Sequence, residues 1–259
     1  MAKRRSGVSS TTNRPPPSAK SPRSNVLLAA LPPDDYTRVA ATLDLIPLPL
    51  KQVIHKPGES IQHTYFPGGG FCSLLTVLAD GGMVEVATIG REGMVGLPMI
   101  FEGSSSPSLA MVQAVCDECY RMPAAAFRVE MNRRGAFHEL LTRYGQALVG
   151  TIMQGTACNA IHSVEQRLGR WLLMAHDRVS VDQFPLTQEF VAMMLGAARP
   201  TVTLVAGTLQ QAGLITYHRG QVTVVDRKAL ERASCECYRA ATDLLRAVTS
   251  GGDGKSRPR

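Results

Sequence analysis

The stretch "MMLGAARPTVTLVAGTLQQAGLI", residues 193–215, breaks an apolar helical period and restarts it at once. Gly196 can adopt a positive φ and end a helix, and Pro200 fits the first turn of the helix that follows. Thr187 is placed to cap the first of the two helices through its side chain. Two short helices joined by a tight turn of about three residues predict a helix-turn-helix.

A hairpin is predicted directly after these helices. Residues 215–217 and 222–225 are rich in β-branched side chains, and His218-Arg219-Gly220 between them forms a turn. Such a hairpin is the wing of a winged helix-turn-helix, a DNA reader that inserts its second helix into the major groove. The alternative is a helix pair that only supports a core. The short polar face of the second helix favours DNA binding.

The net charge of +7 on 259 residues is not by itself evidence for DNA binding. Residues 1–25 hold six Lys or Arg and no acid, and residues 251–259 hold three against one Asp. The net charge that remains for residues 26–250 is −1. Because this central part is nearly neutral, the DNA-binding hypothesis depends on local geometry.

Residues 1–25 are rich in Ser, Pro and Arg with almost nothing to bury, so we expect a disordered basic tail. They lack the apolar run of a secretory signal, and three consecutive prolines oppose the helix of a transit peptide. No run of about 18 apolar residues occurs. The sequence therefore predicts no membrane contact and a cytoplasmic location.

The middle of the chain has turn signals at the regular spacing of a β-structure. Turn signals recur at a spacing of about 11 residues between positions 57 and 103, which is typical of an antiparallel roll or barrel. Behind it, "FHELLTRYGQALVGTIMQGTACNAI", residues 137–161, predicts one long helix. Its residues at steps of three and four predict a dimerisation seam: Leu141, Tyr144, Leu148, Thr151 and Gly155. The alternative is a helix that lies on its own barrel.

These patterns predict an α+β fold in a chain long enough for two domains. The predicted segments are a disordered basic tail (1–25), a jelly-roll-like antiparallel β-roll (26–135), a dimerisation helix (136–160), a winged helix-turn-helix (161–240), and a C-terminal helix end with a flexible tail (241–259).

In this order of elements the chain resembles the Crp/Fnr transcriptional regulators, over roughly residues 26–240. The resemblance is carried by "LTQEFVAMMLGAARPTVTLVAGTLQQAGLI" (186–215) and "HSVEQRLGRWLLMAHDRV" (162–179). "VIHKPGESI" (53–61) and "GREGMVGLPMIFEG" (90–103) match the turns of the family's roll. The resemblance implies a homodimer that binds a two-fold-related operator in double-stranded DNA and works with RNA polymerase.

The family's recognition helix opens Arg-Glu-x-Val-x-Arg, and the aligned run here is residues 199–204, "RPTVTL". The resemblance implies a guanine contact for Arg199. Leu204 replaces the family's second Arg and Pro200 its Glu, which predicts a changed operator. The complete predicted DNA-binding set is Thr187, Gln188, Arg199, Pro200, Thr201, Thr203 and Arg219.

Cyclic-nucleotide-binding members of the family carry Gly-Glu-Leu for the ribose and a following Arg for the phosphate. The aligned stretch here is Gly96-Leu97-Pro98, and no Lys or Arg occurs between Glu92 and Tyr120. A phosphodiester buried without a cation is costly. The sequence therefore predicts a roll that senses or transmits a signal other than cyclic AMP. It leaves the effector, the operator and the direction of regulation open.

The six cysteines include two close pairs, Cys116 with Cys119 and Cys235 with Cys237. Together these pairs would supply four thiols for zinc or redox chemistry. One pair is expected beside a strand of the roll and the other in a C-terminal helix, so neither a metal site nor a cofactor is predicted. The first cysteine is Cys72, which does not support the N-terminal cysteine cluster of the iron–sulfur members. A redox role for either pair is the alternative.

The chain is not predicted to be an enzyme, because no catalytic constellation emerges. A second hypothesis is a metal-dependent, cupin-like β-barrel enzyme with an appended helical domain, which needs a close His pair and an acid. His55 and His63 lie eight residues apart and are expected in turns or at the surface. Arg167 and Arg170 are expected to point outwards beside an inward Trp171.

Overall fold

The computed structural model of the chain describes residues 20–179 and 181–250. The predicted N-terminal tail up to residue 19 and residues 251–259 of the predicted C-terminal tail lie outside these ranges. Regular structure begins before the predicted boundary at residue 25, because Pro22–Ser24 form a short 3-10 helix. The buried Asn25 side chain caps the next helix and donates to the backbone oxygens of Pro67 and Gly93, each at 2.9 Å.

The described residues form helices and strands in an α+β arrangement. The helices are α1 (Val26–Ala29), α2 (Pro33–Ala40), α3 (Ala124–Asn132), α4 (Ala136–Ile161), α5 (Val164–Val179), α6 (Gln188–Leu195), α7 (Arg199–Gln211), α8 (Arg227–Ala233) and α9 (Cys237–Ala247). The strands are β1 (Asp44–Leu48), β2 (Val53–His55), β3 (His63–Pro67), β4 (Phe71–Val77), β5 (Met83–Ile89), β6 (Leu109–Ala114), β7 (Cys116–Pro123), β8 (Gln183–Pro185), β9 (Ile215–His218) and β10 (Gln221–Val224).

Strands β1 to β7 form the N-terminal roll as two antiparallel sheets, in the orders β1-β7-β3 and β2-β6-β4-β5. Side chains from the two sheets share one apolar core with α1 to α4, which includes Phe66, Phe127 and Phe137. The predicted glycine turns are present, with φ of 79° at Gly58 and 85° at Gly81. The antiparallel roll predicted from the turn spacing is therefore confirmed.

Helix α4 packs its apolar face on its own chain. Four residues of the predicted dimer seam are buried: Leu141, Tyr144, Leu148 and Thr151. The Tyr144 hydroxyl donates to the backbone oxygen of Met94 in the roll at 3.1 Å. The fifth seam residue, Gly155, is half-buried and faces a cavity beside β5 and α5. The seam prediction is wrong for the four buried residues, because an apolar period does not distinguish an internal partner from a second copy.

Helix α5 connects the roll to the C-terminal domain through polar contacts. The Trp171 indole Nε1 donates to Glu85 Oε1 on β5 at 2.8 Å. The Arg178 guanidinium donates to Glu92 Oε1 from Nε at 2.9 Å and from its terminal nitrogen at 2.6 Å. Two carboxylates of the roll therefore anchor the helix that supports the C-terminal domain.

None of the helices within residues 20–179 and 181–250 is by itself both long and apolar enough to cross a membrane. Only α6 and α7 taken together pass by length and composition, and this pair is sharply bent.

Candidate DNA-binding surface

Helices α6 and α7 form the two-helix motif at the predicted residues. The Phe190 backbone N–H donates to Thr187 Oγ1 at 3.2 Å, which confirms the predicted N-cap. Gly196 ends α6 with a φ of 56°, and α7 begins at Arg199 with Pro200 in its first turn. The chain bends by 105° between the two helices, which is the geometry of a helix-turn-helix.

The inner faces of both helices are buried against α5 and the strands that follow. One apolar core contains Val191 and Leu195 of α6, together with Val202 and Leu209 of α7. The Phe190 ring packs edge-on against Trp171, with ring centroids 5.9 Å apart. Since burial of this core fixes the angle of α7, the outward face of α7 is positioned before any ligand binds.

The wing is a three-stranded antiparallel sheet in the order β8-β10-β9. His218 pairs with Gln221, so Arg219 and Gly220 form the turn, with φ of 48° and 74°. Two consecutive positive φ values are those of a type I′ turn, which matches the twist of a tight hairpin. Strand β8 was not predicted, because three residues that end in Pro185 carry no alternating pattern.

The wing, the start of α6 and the start of α7 meet at one surface. The Leu186 N–H donates to the backbone oxygen of Gly220 at 2.8 Å, which places Thr187 beside the wing turn. The Thr203 hydroxyl of α7 donates to Gln188 Oε1 of α6 at 3.0 Å. Three residues predicted separately from the sequence, Thr187, Gln188 and Thr203, are therefore brought together with the turn that carries Arg219.

The outer face of α7 carries the other predicted residues. Arg199, Pro200 and Thr203 are exposed, and Thr201 is half-buried. The Leu204 side chain is 73% exposed although it is apolar. Arg219 is exposed in the wing turn. Guanidinium groups, hydroxyls and an exposed methyl-bearing side chain are the groups that bind phosphates and base edges.

Tyr217 and Gln210, which the sequence does not identify as part of the surface, hold the wing against the helices. The Tyr217 hydroxyl donates to the backbone oxygen of Leu186 at 2.6 Å, and Gln210 Oε1 accepts the Tyr217 N–H at 2.7 Å. Burial raises the pKa of Tyr217, while the Arg199 charge acts in the opposite direction. A half-buried Tyr in a hairpin signals a hydrogen-bond partner, but no local pattern identifies a residue so distant in the chain.

Arg167 does not point outwards as the sequence analysis expected. It is only 9% exposed, and its guanidinium donates to the backbone oxygen of Leu195, the last residue of α6. A cation at this helix end is favoured by the helix dipole. The expectation failed because Arg167 lies four residues before Trp171 and therefore on the same inward face. Trp171 is buried as predicted.

The histidines of the roll do not form the pair that the enzyme hypothesis requires. His55 is buried rather than at the surface, and its Nε2 lies 3.0 Å from the backbone oxygen of His63. Burial lowers the pKa of His55, which favours the neutral ring. The His55 ring therefore binds the His63 backbone, and within the described part of the chain neither histidine belongs to a cluster of three potential metal ligands.

The segment aligned with the family's phosphate site is part of the roll core. Gly96 has a φ of 117° and precedes a 3-10 helix, Leu97–Phe101, whose Met99 and Ile100 are buried. Arg121, a cation that flanks this segment in sequence, pairs instead with Asp44 at 2.9 Å. The geometry supplies no side-chain cation from within the segment itself.

Comparison with known proteins agrees with this architecture. Residues 166–233 match the Crp-like helix-turn-helix domain. A structure from Eubacterium rectale assigned to the Crp/Fnr family of transcriptional regulators is similar with a TM-score of 0.60 and 18% identity, over 82% of this chain and 98% of that one. A regulator of the CRP family from Thermus thermophilus is similar with a TM-score of 0.60 and 20% identity, over 73% and 96% of the two chains.

A third similar structure is the regulator CLP of Xanthomonas campestris, described as responsive to c-di-GMP. It has a TM-score of 0.59 and 15% identity, over 74% of this chain and 99% of that one. No curated protein sequence matches the chain. At these identities the structural likeness establishes the fold. The matched domain and these neighbours are those of transcriptional regulators and not of enzymes.

Proposed function

We propose that α7 binds an operator in the major groove of DNA and that the wing contacts the flanking DNA backbone. The chain would act in this way as a transcriptional regulator of the Crp/Fnr type, with its helix-turn-helix domain at residues 166–233. The observation that carries this proposal is the exposed first turns of α7, whose Thr203 hydroxyl binds Gln188 at the start of α6, next to Thr187 and the wing turn. The direct test is selection of duplexes from a random pool by the full chain. Enrichment of a two-fold-related site supports the proposal, and sequence-independent binding contradicts it.

The proposed contacts divide into base readout and backbone contacts. Arg199 is suited to bidentate bonds with guanine O6 and N7, and Leu204 is suited to apolar contact with a thymine methyl group. Thr187, Gln188 and Arg219 are suited to phosphates. Ala198 supplies no side-chain cap, so within the described residues the N-terminus of α7 is also suited to a phosphate. Pro200 supplies no N–H and shapes the turn.

We expect Arg199→Ala to weaken binding to the selected duplex by about 1–3 kcal/mol and to relax the preference for one guanine in each half-site. Competition binding at fixed salt measures both effects. Arg239→Ala, at an exposed position of α9, is the matched control and should leave affinity unchanged. If Arg199→Ala retains wild-type affinity and sequence preference, Arg199 does not contact bases.

The proposed homodimer uses the outer face of α4 and not the predicted seam. Three apolar side chains of α4 are exposed, by 40% at Val149, 68% at Met153 and 79% at Ile161. Together with the exposed Ala157 they follow one another at intervals of four residues. Residues four apart share a helix face, so these side chains form an apolar stripe. A second copy of α4 would cover this stripe and place two copies of α7 for two half-sites.

We therefore expect Met153→Glu to convert the dimer into a folded monomer, because two carboxylates would face each other in an apolar contact. Sedimentation velocity measures the change. Val129→Glu, which alters a 56% exposed valine on α3, is the matched control and should leave the association state unchanged. A Met153→Glu protein that stays dimeric at low concentration would place the interface elsewhere. Leu148 is unsuitable for this test, because its side chain is buried within the chain.

The proposed signal is not a cyclic nucleotide, since residues 93–119 contain no Lys or Arg to neutralise a buried phosphodiester. We propose that the roll transmits its signal through α5. This helix contacts Glu85 and Glu92 of the roll and supports α6 and α7. A regulator bound at an operator acts on transcription, so RNA polymerase is the expected protein partner.

A further inference from the structure

Four side chains with metal-binding atoms meet where α4 ends and α9 begins. Cys158 and His162 come from the end of α4, and Cys235 and Cys237 come from the junction of α8 with α9. Their four ligand atoms all lie within 4.8 Å of one another. The sequence pattern pairs Cys235 and Cys237 only with the distant Cys116 and Cys119, and it predicts no metal site.

The distances within this cluster fit a tetrahedral ion. Cys158 Sγ lies 3.5 Å from Cys235 Sγ, and Cys237 Sγ lies 3.5 Å from His162 Nδ1. Bonds of about 2.3 Å to sulfur and about 2.0 Å to nitrogen separate tetrahedral ligands by about 3.8 Å for two sulfurs and about 3.5 Å for sulfur and nitrogen. These two pairs therefore match a tetrahedral zinc site to within a few tenths of an ångström, and a pair at the 4.8 Å limit would have to close by about 1 Å.

The local sequence explains why these ligands converge. Cys158 and His162 are four residues apart, so they project from the same side of the last turn of α4. Cys235 and Cys237 flank a single residue between two helices, and α9 begins at Cys237.

The cluster is separate from the apolar cores of the two domains. Cys158, Cys235 and Cys237 are 0%, 4% and 1% exposed, and they form a buried group of their own. By contrast, the pair Cys116 and Cys119 lies on β7 within the core of the roll. Three thiols that meet a histidine outside an apolar core are typical of a ligand set.

The surrounding side chains resemble the outer shell of a zinc site. His162 Nε2, the ring nitrogen that faces away from the sulfurs, lies 3.2 Å from Glu236 Oε1. A carboxylate on the second nitrogen fixes the ring tautomer in which the other nitrogen is free to bind metal. The Gln154 side-chain amide donates to Cys237 Sγ at 3.0 Å, a bond that stabilises a thiolate.

Two arginines of α5, Arg167 and Arg170, lie close to the same cluster. The Nε atoms of Arg167 and Arg170 are buried without a hydrogen-bond partner among residues 20–179 and 181–250. Burial lowers the pKa of Arg167 and raises the pKa of the Cys158 and Cys235 thiols, so the thiolates of the proposed site would form as the metal binds. Zinc with three thiolates and one neutral imidazole carries a net charge of −1, which would compensate a neighbouring guanidinium.

We propose that Cys158, His162, Cys235 and Cys237 bind a structural Zn²⁺ ion. On binding, the three thiols release their protons to solvent and His162 binds as the neutral ring. The ion would link the last turn of α4 to the junction of α8 with α9, next to the short connection from Ile161 to Val164 that joins α4 to α5. This position ties the proposed dimerisation helix to the DNA-binding domain.

The first experiment measures metal in the full-length protein, purified under reducing conditions without chelator. Mass spectrometry of the metal should give about one zinc per chain. Cys158→Ala and Cys237→Ala should each lose most of it, whereas the matched variants Cys116→Ala and Cys119→Ala should retain it. Undiminished zinc in Cys158→Ala, iron with acid-labile sulfide, or a metal-free protein with a disulfide between Cys158 and Cys235 would each overturn the proposal.

A second experiment needs no variant that risks unfolding. Cobalt exchanged into the wild-type protein should show the intense d–d bands of a tetrahedral site and a thiolate charge-transfer band. Octahedral cobalt spectra would contradict the assignment. Chelation should lower the unfolding temperature, since an ion that binds the folded state stabilises it. An unchanged unfolding temperature after complete zinc removal would exclude the structural role.

Glu236→Gln tests the outer shell of the site. We expect it to weaken zinc affinity about 10- to 100-fold in competition with a chromophoric chelator, because the His162 ring loses its carboxylate. Asp243→Asn, which removes an exposed acid from α9, is the matched control and should not change the affinity. Equal affinities for the two variants would exclude Glu236 from the site.

Discussion

Arg178→Met is expected to lower the free energy of unfolding by about 3 kcal/mol, the lower end of the range for breaking a buried ion pair. The Arg178 side chain is 6% exposed and that of Glu92 is 22% exposed. Methionine keeps much of the side-chain volume. Among residues 20–179 and 181–250, it leaves the Glu92 carboxylate with only the Gly90 N–H as a donor, at 3.0 Å. It also removes the bond from Arg178 to the Met174 backbone oxygen, at 2.7 Å.

Urea unfolding followed by fluorescence measures this loss at the relevant place. Trp171 is the single tryptophan of the chain and lies on the same helix as Arg178. Arg134→Met is the matched control, because Arg134 and its partner Glu102 are 65% and 83% exposed. An exposed pair contributes about 0–1 kcal/mol, so this variant should unfold close to the wild type.

A double variant separates the cost of an unpaired charge from the loss of packing. Glu92→Leu combined with Arg178→Met removes both charges, and such replacements are often neutral or stabilising. We expect the double variant to recover most of the stability that Arg178→Met loses. If the double variant is no more stable than Arg178→Met, the effect arises from packing and not from the isolated carboxylate.

The sequence predicted the elements that local patterns specify. Gly196 and Pro200 each have a defined backbone requirement, and both lie where the helix-turn-helix prediction placed them. Thr187 caps α6 because capping involves residues only three apart. The wing turn at Arg219 and Gly220 follows for the same reason.

Contacts between distant parts of the chain were not predictable in the same way. An apolar period shows that one face of α4 is covered, but the covering partners proved to be the roll and α9 and not a second α4. The cluster that joins Cys158 to Cys235 brings together residues 77 positions apart. The spacing of Arg167 from Trp171 indicates the inward face of α5, but the sequence does not identify the Leu195 backbone oxygen that Arg167 caps. Each of these contacts depends on tertiary packing.

Glu85 is expected to make the stability of the protein depend on pH. Burial raises its pKa to about 7, against the opposing effects of bonds from Ser73 and Trp171 and of the Arg170 and Arg178 charges. The folded state therefore binds this proton more tightly than the unfolded chain, whose carboxyl has its usual pKa near 4.5. The resulting stabilisation is fully present below about pH 4.5 and is lost as the pH rises through about 7.

The expected loss between pH 5 and pH 8 is about 2 kcal/mol, less than the full shift implies because Glu85 is only half-buried. Glu85→Gln stays neutral across this range, so its stability relative to wild type should increase by about that amount as the pH rises. Urea unfolding of both proteins at each pH measures the difference, in which the other titrating groups cancel.

Glu102→Gln, at a side chain that is 83% exposed, should follow the wild-type profile. Parallel profiles for Glu85→Gln and wild type would show that Glu85 is ionised in the folded protein throughout. Because Glu85 accepts the Trp171 N–H, ionisation of this carboxyl acts on the contact between the roll and α5, the helix that supports the reading surface.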